Sequence, residues 1–245
     1  MGPTEGACVS MSDARATILK RIKSALDQGA TGRVALGEIE GRLAQPRRNP
    51  TPGRARIPSD ELINLFVTMA EEASASVARV PASDDVPGAV LDYLRSQNLA
   101  PSVVMAPALD HIDWSRAPLI EIRRGAARPE DMVSVTGAFA AVAETGTLML
   151  AAGREHPTTL NFLPDTHVVV IERDQILSTY EDGWTRLRSA RRQGDGTWSM
   201  PRAVNFVTGP SRSADIEQKL QMGAHGPRRV HIIIVDSGLG HGVSR

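Results

Sequence analysis

Short apolar runs alternate with helical patterns along most of the chain, and this alternation is the feature that most narrows its possible folds. Runs such as Ser102–Ala106, His167–Glu172 and Val230–Val235 are rich in β-branched residues and contain few polar alternates, as is typical of strands covered on both faces. Strands and helices that alternate at short spacing build a domain on a largely parallel sheet. We therefore predict an α/β fold with a mainly parallel sheet flanked by helices. The other predicted strands are Val77–Val80, Leu119–Ile122, Met132–Thr136, Thr147–Ala151 and Ala203–Val207, and the predicted helices of this domain are Leu62–Ala70, capped by Ser59, and Val86–Gln97.

The first 56 residues have a different pattern. Ser12 and Asp13 can cap a helix in which apolar residues recur at helical spacing from Ile18 to Leu26, which predicts an N-terminal helical extension. Between Arg42 and Arg56 prolines and arginines dominate, and this composition indicates an extended linker. The last nine residues contain three glycines and no periodicity, so we expect a flexible tail. The predicted organisation is an N-terminal helix with an Arg/Pro-rich linker over 1–56, an α/β domain over 57–236 and a tail over 237–245.

Composition argues against several classes of protein. The chain has 28 Lys and Arg residues against 28 Asp and Glu residues, so no net charge attracts nucleic acid. We therefore do not expect nucleic-acid binding through the arginines of Arg186–Trp198, which we interpret as an exposed loop. Cys8 is the only cysteine; one thiol makes no internal disulfide and falls short of the roughly four thiolates of an iron–sulfur cluster. No apolar run reaches the roughly 20 residues of a membrane span, and we expect a cytoplasmic protein.

The first stretch that suggests chemistry runs from Ala143 to Thr147 and precedes the apolar residues 148–150. Gly146 lets the backbone turn sharply or approach a ligand closely just before a buried strand. Glu144 would then stand at the mouth of the sheet as a nucleophile, a base or a ligand-orienting acceptor. The alternative is structural, because Thr145 or Thr147 can donate to this carboxylate and hold the turn.

The second stretch, from Thr208 to Glu217, directly follows a predicted strand. Its Gly209–Pro210 turn and the apolar positions that follow predict a helix that begins near Ser211 or Ser213. Unpaired N–H groups at a helix start attract anions, and Arg212 can contact phosphate or carboxylate in a bidentate manner. The same residues also suit ordinary helix capping, and both interpretations stay open.

The third stretch, from Gly223 to Pro227, is predicted to end that helix, with glycines that suit a C-cap and a turn. His225 could face the same mouth of the sheet as a proton donor, although a lone histidine in a loop is more often structural or solvated. The six histidines form no metal-ligand spacing, so we predict no metal site in this chain.

These stretches together resemble the signature of the LUD-domain family. The matching residues are Ala143–Thr147, Leu163–Pro164, Thr208–Glu217 and His225–Pro227, and the similarity extends over roughly 57–236. The resemblance implies a fold similar to the phosphosugar isomerase and CoA-transferase superfamily. It also implies a role in oxidising L-lactate to pyruvate together with two iron–sulfur partner proteins. Because this chain lacks the cysteine clusters of larger family members, the resemblance suits an accessory subunit that binds no cofactor alone.

The residues leave a second hypothesis open, in which the chain is itself an enzyme or a binding protein. Its ligand would be a small anionic metabolite such as a hydroxy acid, a phosphosugar or an acyl-CoA, since a glutamate in a similar Glu-x-Gly turn attacks acyl groups in CoA-transferases. We expect the runs that contain Glu144 and Ser211 to converge on one cleft outside the carboxyl ends of parallel strands. The candidate catalytic residue is Glu144, and the candidate ligand-binding residues are Thr145, Gly146, Thr147, Gly209, Ser211, Arg212, Ser213 and His225.

Overall fold

The computed structural model describes residues 11–28, 41–42, 50–58, 61–214, 220–223 and 225–236, which belong to two compact units, residues 1–49 and 50–245. In the first unit, helix α1 (Met11–Gln28) confirms the predicted N-terminal helix. The apolar side chains of its stripe are more than half exposed, from 51% at Ile22 to 64% at Leu26. Of the predicted linker, residues 50–56 contain one 3-10 turn, Gly53–Ala55, in which Ala55 is buried. The predicted tail, 237–245, lies outside the described residues.

The second unit contains four described α-helices and twelve strands. The helices are α2 (Leu62–Glu72), α3 (Val86–Ser96), α4 (Thr159–Phe162) and α5 (Tyr180–Arg191). The strands are β1 (Ser76–Val80), β2 (Ser102–Met105), β3 (Glu121–Arg124), β4 (Val133–Gly137), β5 (Ala140–Val142), β6 (Thr147–Ala151), β7 (Thr166–Glu172), β8 (Ile176–Leu177), β9 (Val204–Val207), β10 (Arg212–Ala214), β11 (Leu220–Met222) and β12 (Arg229–Val235).

Six of these strands form a central parallel sheet in the order β1-β12-β7-β4-β2-β3. Successive residues of its inner strands enter opposite cores, because side chains alternate across a strand. In β12, Ile233 packs with the residues of α3, whereas Ile232 and Ile234 pack with those of α2. The sheet is therefore covered on both faces, and the predicted α/β fold is confirmed.

The predicted strands are found within one or two residues of their expected bounds. The largest displacement is in β3, which was expected over Leu119–Ile122 and is observed over Glu121–Arg124. The reason is that Ile120 is buried beneath the sheet and Glu121 N–H donates to Pro101 O (2.7 Å), so the ladder begins there and Leu119 stays 59% exposed. Within the described residues, no helix has both the length and the apolar character needed to cross a membrane.

A second, four-stranded sheet has the order β8-β5-β6-β9 and is covered by α5. The interpretation of Arg186–Trp198 as a loop is wrong for its first half, because α5 continues to Arg191 and Arg192 then pairs with Trp198 in an antiparallel bridge. Thr179 and Asp182 form a capping box at the start of α5, a pattern that favours a helix. The helix was missed because Leu187 is its only large, fully buried side chain.

The helix predicted after Pro210 is also wrong in its described part. Arg212–Ala214 and Leu220–Met222 are instead paired as an antiparallel ladder, β10 with β11. Two backbone hydrogen bonds hold Ser211 in this arrangement, because Ser211 N–H donates to Pro227 O and Gly223 N–H donates to Ser211 O, both at 2.9 Å. Gly223 therefore follows a strand instead of capping a helix; residues 215–219 lie outside the described residues.

Candidate functional site

Four hydroxyl groups from separate parts of the sequence meet beside the β5–β6 turn. Thr147 Oγ1 lies 2.7 Å from Thr145 Oγ1, 2.9 Å from the Tyr180 hydroxyl and 2.7 Å from Thr208 Oγ1. Thr145 Oγ1 also donates to Tyr180, at 3.0 Å. We call these four residues the hydroxyl cluster. It joins two of the stretches singled out in the sequence, Ala143–Thr147 and Thr208–Glu217, through the Thr147–Thr208 contact.

Two glycines let these stretches pack against the end of α2. Gly146 has a φ of 63°, and a Cβ at this position would lie 2.3 Å from Ala70 N. Gly209 has a φ of 71°, and a Cβ there would lie 2.1 Å from Ala73 O. Both glycines are thus required for close approach to a helix. The atoms nearest to both glycines belong to protein backbone, whereas the sequence also allowed a bound ligand at this place.

Among the remaining predicted residues, Arg212 contacts the same helix end. The Arg212 guanidinium donates to Ala73 O, just after α2, which is a helix-capping contact. A Cβ added at Gly226 would lie 3.4 Å from Ser211 Cβ, so the stretch that contains His225 is adjacent to Ser211. His225 itself is exposed. Ser213 pairs with Gln221 in the β10–β11 ladder.

Glu144 is the predicted site residue with the most unusual surroundings. It is 7% exposed, and its Oε2 atom is buried with no hydrogen-bond partner among the described residues. Its backbone N–H donates to Ser178 O at 3.2 Å, which fixes the turn after β5. The donation expected from Thr145 or Thr147 does not reach this oxygen, because both hydroxyls bond within the hydroxyl cluster. A buried carboxylate oxygen without a donor costs free energy of folding.

The two runs meet at the amino-terminal edge of the central sheet. Ala73 precedes β1, and Pro227, which accepts from Ser211, precedes β12. The expectation that they would lie outside the carboxyl ends of the parallel strands is therefore wrong. The cause is the second sheet, since Glu144 and Thr147 belong to the antiparallel β5–β6 pair and its turn, which the sequence did not reveal.

A cavity of about 450 Å³ lies at the opposite, carboxyl edge of the central sheet. We call it the carboxyl-edge cavity. Its floor includes the ends of three parallel strands, at Gly137, Glu172 and Val235. Its polar lining residues are Ser83, His111, His156, Glu172 and Gln175. Ligands in open parallel sheets bind at this edge, so the carboxyl-edge cavity is the candidate ligand site.

Sequence reasoning missed all of these lining residues as site candidates. The sequence signal that could have found most of them is their place just after a predicted strand. Four of them stand at or shortly after the ends of strands of the central sheet, namely Ser83, His111, Glu172 and Gln175. Gln175 holds this edge in place: its amide donates to Ala138 O at 2.9 Å and accepts from Glu172 N–H at 2.7 Å. In the described part of the chain, no three His, Cys, Asp or Glu side chains are grouped as metal ligands.

Two further histidines are buried within the sheet, away from the carboxyl-edge cavity. Desolvation lowers the pKa of His167 to about 3, and its Nε2 lies 2.8 Å from Thr136 Oγ1. Desolvation likewise lowers the pKa of His231 to about 4; its Nδ1 lies 2.8 Å from Ser76 Oγ and its ring stacks on Tyr93 at 3.9 Å. Both rings are neutral packing elements at neutral pH.

Comparison with known proteins adds a family to this geometry. The model of the LUD domain matches residues 63–235. Relatives named lactate utilization protein C include one from Deinococcus radiodurans, 29% identical over 202 residues that cover 76% of this chain and 85% of the relative. Another, from an Exiguobacterium species, is 36% identical over 123 residues, 50% of this chain and 52% of the relative. A third, from a Geobacillus species, is 34% identical over 103 residues, 42% of each chain.

Several of these sequence matches span only about half the length of the curated relatives or less. Among solved structures, the crystal structure of a DUF162 family protein from Deinococcus radiodurans superposes with a TM-score of 0.55 and 23% identity, covering 73% of this chain and 99% of that one. At this level of identity the structural likeness supports the fold alone.

Proposed function

Because this chain belongs to the LUD domain family, we propose that it takes part in lactate utilisation as an accessory subunit that acts with iron–sulfur partner proteins in the oxidation of L-lactate to pyruvate. The observation that carries the proposal is the family match over 63–235, together with relatives named for lactate utilisation. The fold contributes a scaffold of two sheets.

The chemistry of the proposed reaction requires an electron acceptor. Oxidation of a hydroxy acid to a keto acid releases two electrons and two protons, and the electrons require an acceptor. These 245 residues contain one cysteine, whereas an iron–sulfur cluster takes about four thiolates. A cluster that accepts electrons from lactate would therefore be held by another protein.

The surface formed by the end of α5 and the residues that follow it suits protein binding. Residues 183–202 contain five arginines and one aspartate; Arg192 and Arg202 are exposed, whereas Arg186 is paired with Asp174. Trp198 is 46% exposed opposite Arg192, and Met200 and Phe206 are 45% and 37% exposed. Arginine, aromatic residues and methionine are enriched at protein interfaces. We call this the arginine–aromatic surface and assign it to an acidic face of a partner.

Co-purification with the iron–sulfur partners, combined with lactate-dependent reduction of a dye, tests the proposal. We expect a stable complex whose dye reduction depends on this chain. The double variant Arg192→Glu, Arg202→Glu should weaken association at least about tenfold, because both arginines are exposed and reversal creates repulsion. Arg128→Glu, an exposed arginine outside this surface, is the matched control. Lactate-dependent dye reduction that is unchanged without the chain would contradict the proposal.

A further inference from the structure

The large apolar side chains of α1 have no place in the function proposed above. Those of Ile18, Leu19, Ile22 and Leu26 are each more than half exposed. At 3.6 residues per turn they fall within an arc of roughly 100° of the helix, the width of an apolar face that packs against another surface. We call these four side chains the α1 stripe. A helix of this kind owes most of its stability to packing of its apolar face, so the α1 stripe indicates a binding surface.

The charged side chains around the α1 stripe are all basic. Between positions 15 and 26 the chain has Arg15, Lys20, Arg21 and Lys23 and no aspartate or glutamate. Every residue of this segment is exposed. The chain as a whole has no net charge, so four positive charges on one short segment are a local feature of α1. Whatever covers the α1 stripe therefore has to combine an apolar surface with negative charge.

Two of the basic residues lie at the edges of the α1 stripe. Lys23 is roughly 40° beyond Leu19 around the helix. Arg21 is roughly 60° beyond Ile18, at the other edge. Lysine and arginine lay their aliphatic stems along an apolar surface and extend their charged ends into the polar region beside it. These two positions therefore suit a surface that is apolar inside and negatively charged at its boundary.

A second copy of this chain is a poor match for the α1 stripe. A coiled coil needs apolar residues that repeat over about three to four heptads, whereas α1 has 18 residues. Arg15 falls within the arc of the stripe, one turn before Leu19, and interrupts the apolar face there. Two facing stripes would also bring the basic edges of both helices together, and residues 15–26 provide no acidic side chain to pair with them.

The surface of an anionic bilayer combines the two required properties. Helices that lie in the membrane interface have an apolar face beside a polar face rich in lysine and arginine, and anionic headgroups attract such basic segments. Protein interfaces depend more on tryptophan, tyrosine and arginine anchors in shaped pockets. Residues 15–26 contain no aromatic side chain, and a fluid layer of acyl chains accepts isoleucine and leucine without a shaped pocket.

We propose that α1 binds the surface of a membrane that contains anionic lipids. The α1 stripe faces the acyl chains, and the charged ends of Arg21 and Lys23 lie at the lipid phosphates. The helix lies along the surface, because its basic residues stay in the headgroup region. The proposal does not depend on the role in lactate utilisation.

Co-sedimentation of the full chain with large unilamellar vesicles tests the proposal. One set of vesicles contains phosphatidylcholine alone, and in the other part of this lipid is replaced by phosphatidylglycerol. We expect saturable binding to the anionic vesicles and binding at least about tenfold weaker to phosphatidylcholine alone, because the basic residues lose their attraction. Binding to the anionic vesicles should weaken as the ionic strength rises.

Substitution of the α1 stripe separates its role from that of other exposed apolar residues. Ile22→Asp should weaken binding to the anionic vesicles at least about tenfold, because it removes apolar area and adds a negative charge. Leu119→Asp is the matched control, since Leu119 is 59% exposed outside α1 and Ile22 is 51% exposed. This control should bind as the unmodified chain does.

Substitution of the basic edges decides the question if Ile22→Asp disturbs the helix itself. The double variant Arg21→Gln, Lys23→Gln retains good helix formers and should weaken binding to the anionic vesicles at least about tenfold. The double variant Arg95→Gln, Arg128→Gln removes two exposed arginines outside α1 and should bind normally.

Three results would overturn the proposal: no binding to the anionic vesicles, equal binding to phosphatidylcholine alone, or unchanged binding in both Ile22→Asp and the Arg21→Gln, Lys23→Gln variant. Analytical ultracentrifugation without lipid identifies the alternative occupant. A dimer that dissociates in Ile22→Asp, together with absent vesicle binding, would assign the α1 stripe to a second copy of the chain.

Discussion

Gly146 and Gly88 differ in whether their surroundings can accept a methyl group. Gly146 has a φ of 63° and lies directly against the backbone of α2 at Ala70, with no room for a methyl group. Gly88 lies on the exposed side of α3, where a methyl group would contact nothing within 4 Å. The same chemical change should therefore destabilise the protein at one site and stabilise it at the other.

We predict that Gly146→Ala lowers the free energy of unfolding by about 2 to 4 kcal/mol, from the left-handed backbone and the clash with α2. Gly88→Ala should raise it by about 0.5 to 1 kcal/mol, because alanine is the better helix former. Urea unfolding of the two variants and the unmodified chain provides the comparison. Equal midpoints for Gly146→Ala and the unmodified chain would show that the β5–β6 turn can move away from α2.

The strands of the central sheet could be predicted from the sequence, whereas only β6 and β9 of the second sheet could be predicted. Buried parallel strands such as β7 and β12 are continuous apolar runs, a pattern that depends only on the local sequence. In contrast, β5 and β8 have three and two residues, too few for a periodic pattern. The antiparallel pairing of β10 with β11, together with the hydrogen bond from Ser211 N–H to Pro227 O, satisfies backbone groups that a helix would otherwise use, and such contacts override local helix propensity.

The same distinction applies to the candidate site. The sequence indicated a sharp turn or a close approach to a ligand at Gly146 and a turn at Gly209. In the structure both glycines lie against the backbone at the end of α2, which the sequence could not indicate. The carboxyl-edge cavity was missed because His111 and His156 come from loops with no recognisable motif. Only the strand order, which is a property of the folded chain, brings them to one edge.

The side chain of Arg212 caps the carboxyl end of α2. Its guanidinium donates to Ala73 O beyond the last turn of α2, where a cation also interacts favourably with the helix dipole. We expect Arg212→Ala to lower the free energy of unfolding by about 0.5 to 1.5 kcal/mol, and Arg212→Lys to lose less because the charge remains. Thermal and urea unfolding measure the effect. A stability unchanged in Arg212→Ala would contradict the capping role of this residue.

At the scale of the whole molecule, the central sheet separates two regions with different properties. At its amino edge, Gly146 and Gly209 lie against the end of α2, and the hydroxyl cluster joins their two stretches. At its carboxyl edge, strand ends and loops leave an open volume with polar groups around it. The lining of the carboxyl-edge cavity contains none of the site residues predicted from the sequence.

The sheet also contains two neutral imidazoles, and these predict how the stability of the whole molecule depends on pH. The pKa of His167 is lowered to about 3 and that of His231 to about 4, whereas an unfolded histidine has a pKa near about 6.5. Between these values the unfolded chain binds more protons than the folded chain. The contribution of these two histidines to the free energy of unfolding is therefore fully present above roughly pH 6.5. It is lost as the pH decreases toward their pKa values in the folded chain.

From pH 7 to pH 5, each of these histidines should cost about 2 kcal/mol of unfolding free energy, so together they cost about 4 kcal/mol. Urea unfolding at the two pH values measures this difference. In His167→Gln the difference should shrink by about 2 kcal/mol, because one of the two linked protons is gone, even if the variant is less stable at both pH values. His111→Asn, which changes an exposed imidazole, should retain the full difference. If His167→Gln and the unmodified chain lose the same free energy between pH 7 and pH 5, then His167 is not the origin of the acid sensitivity.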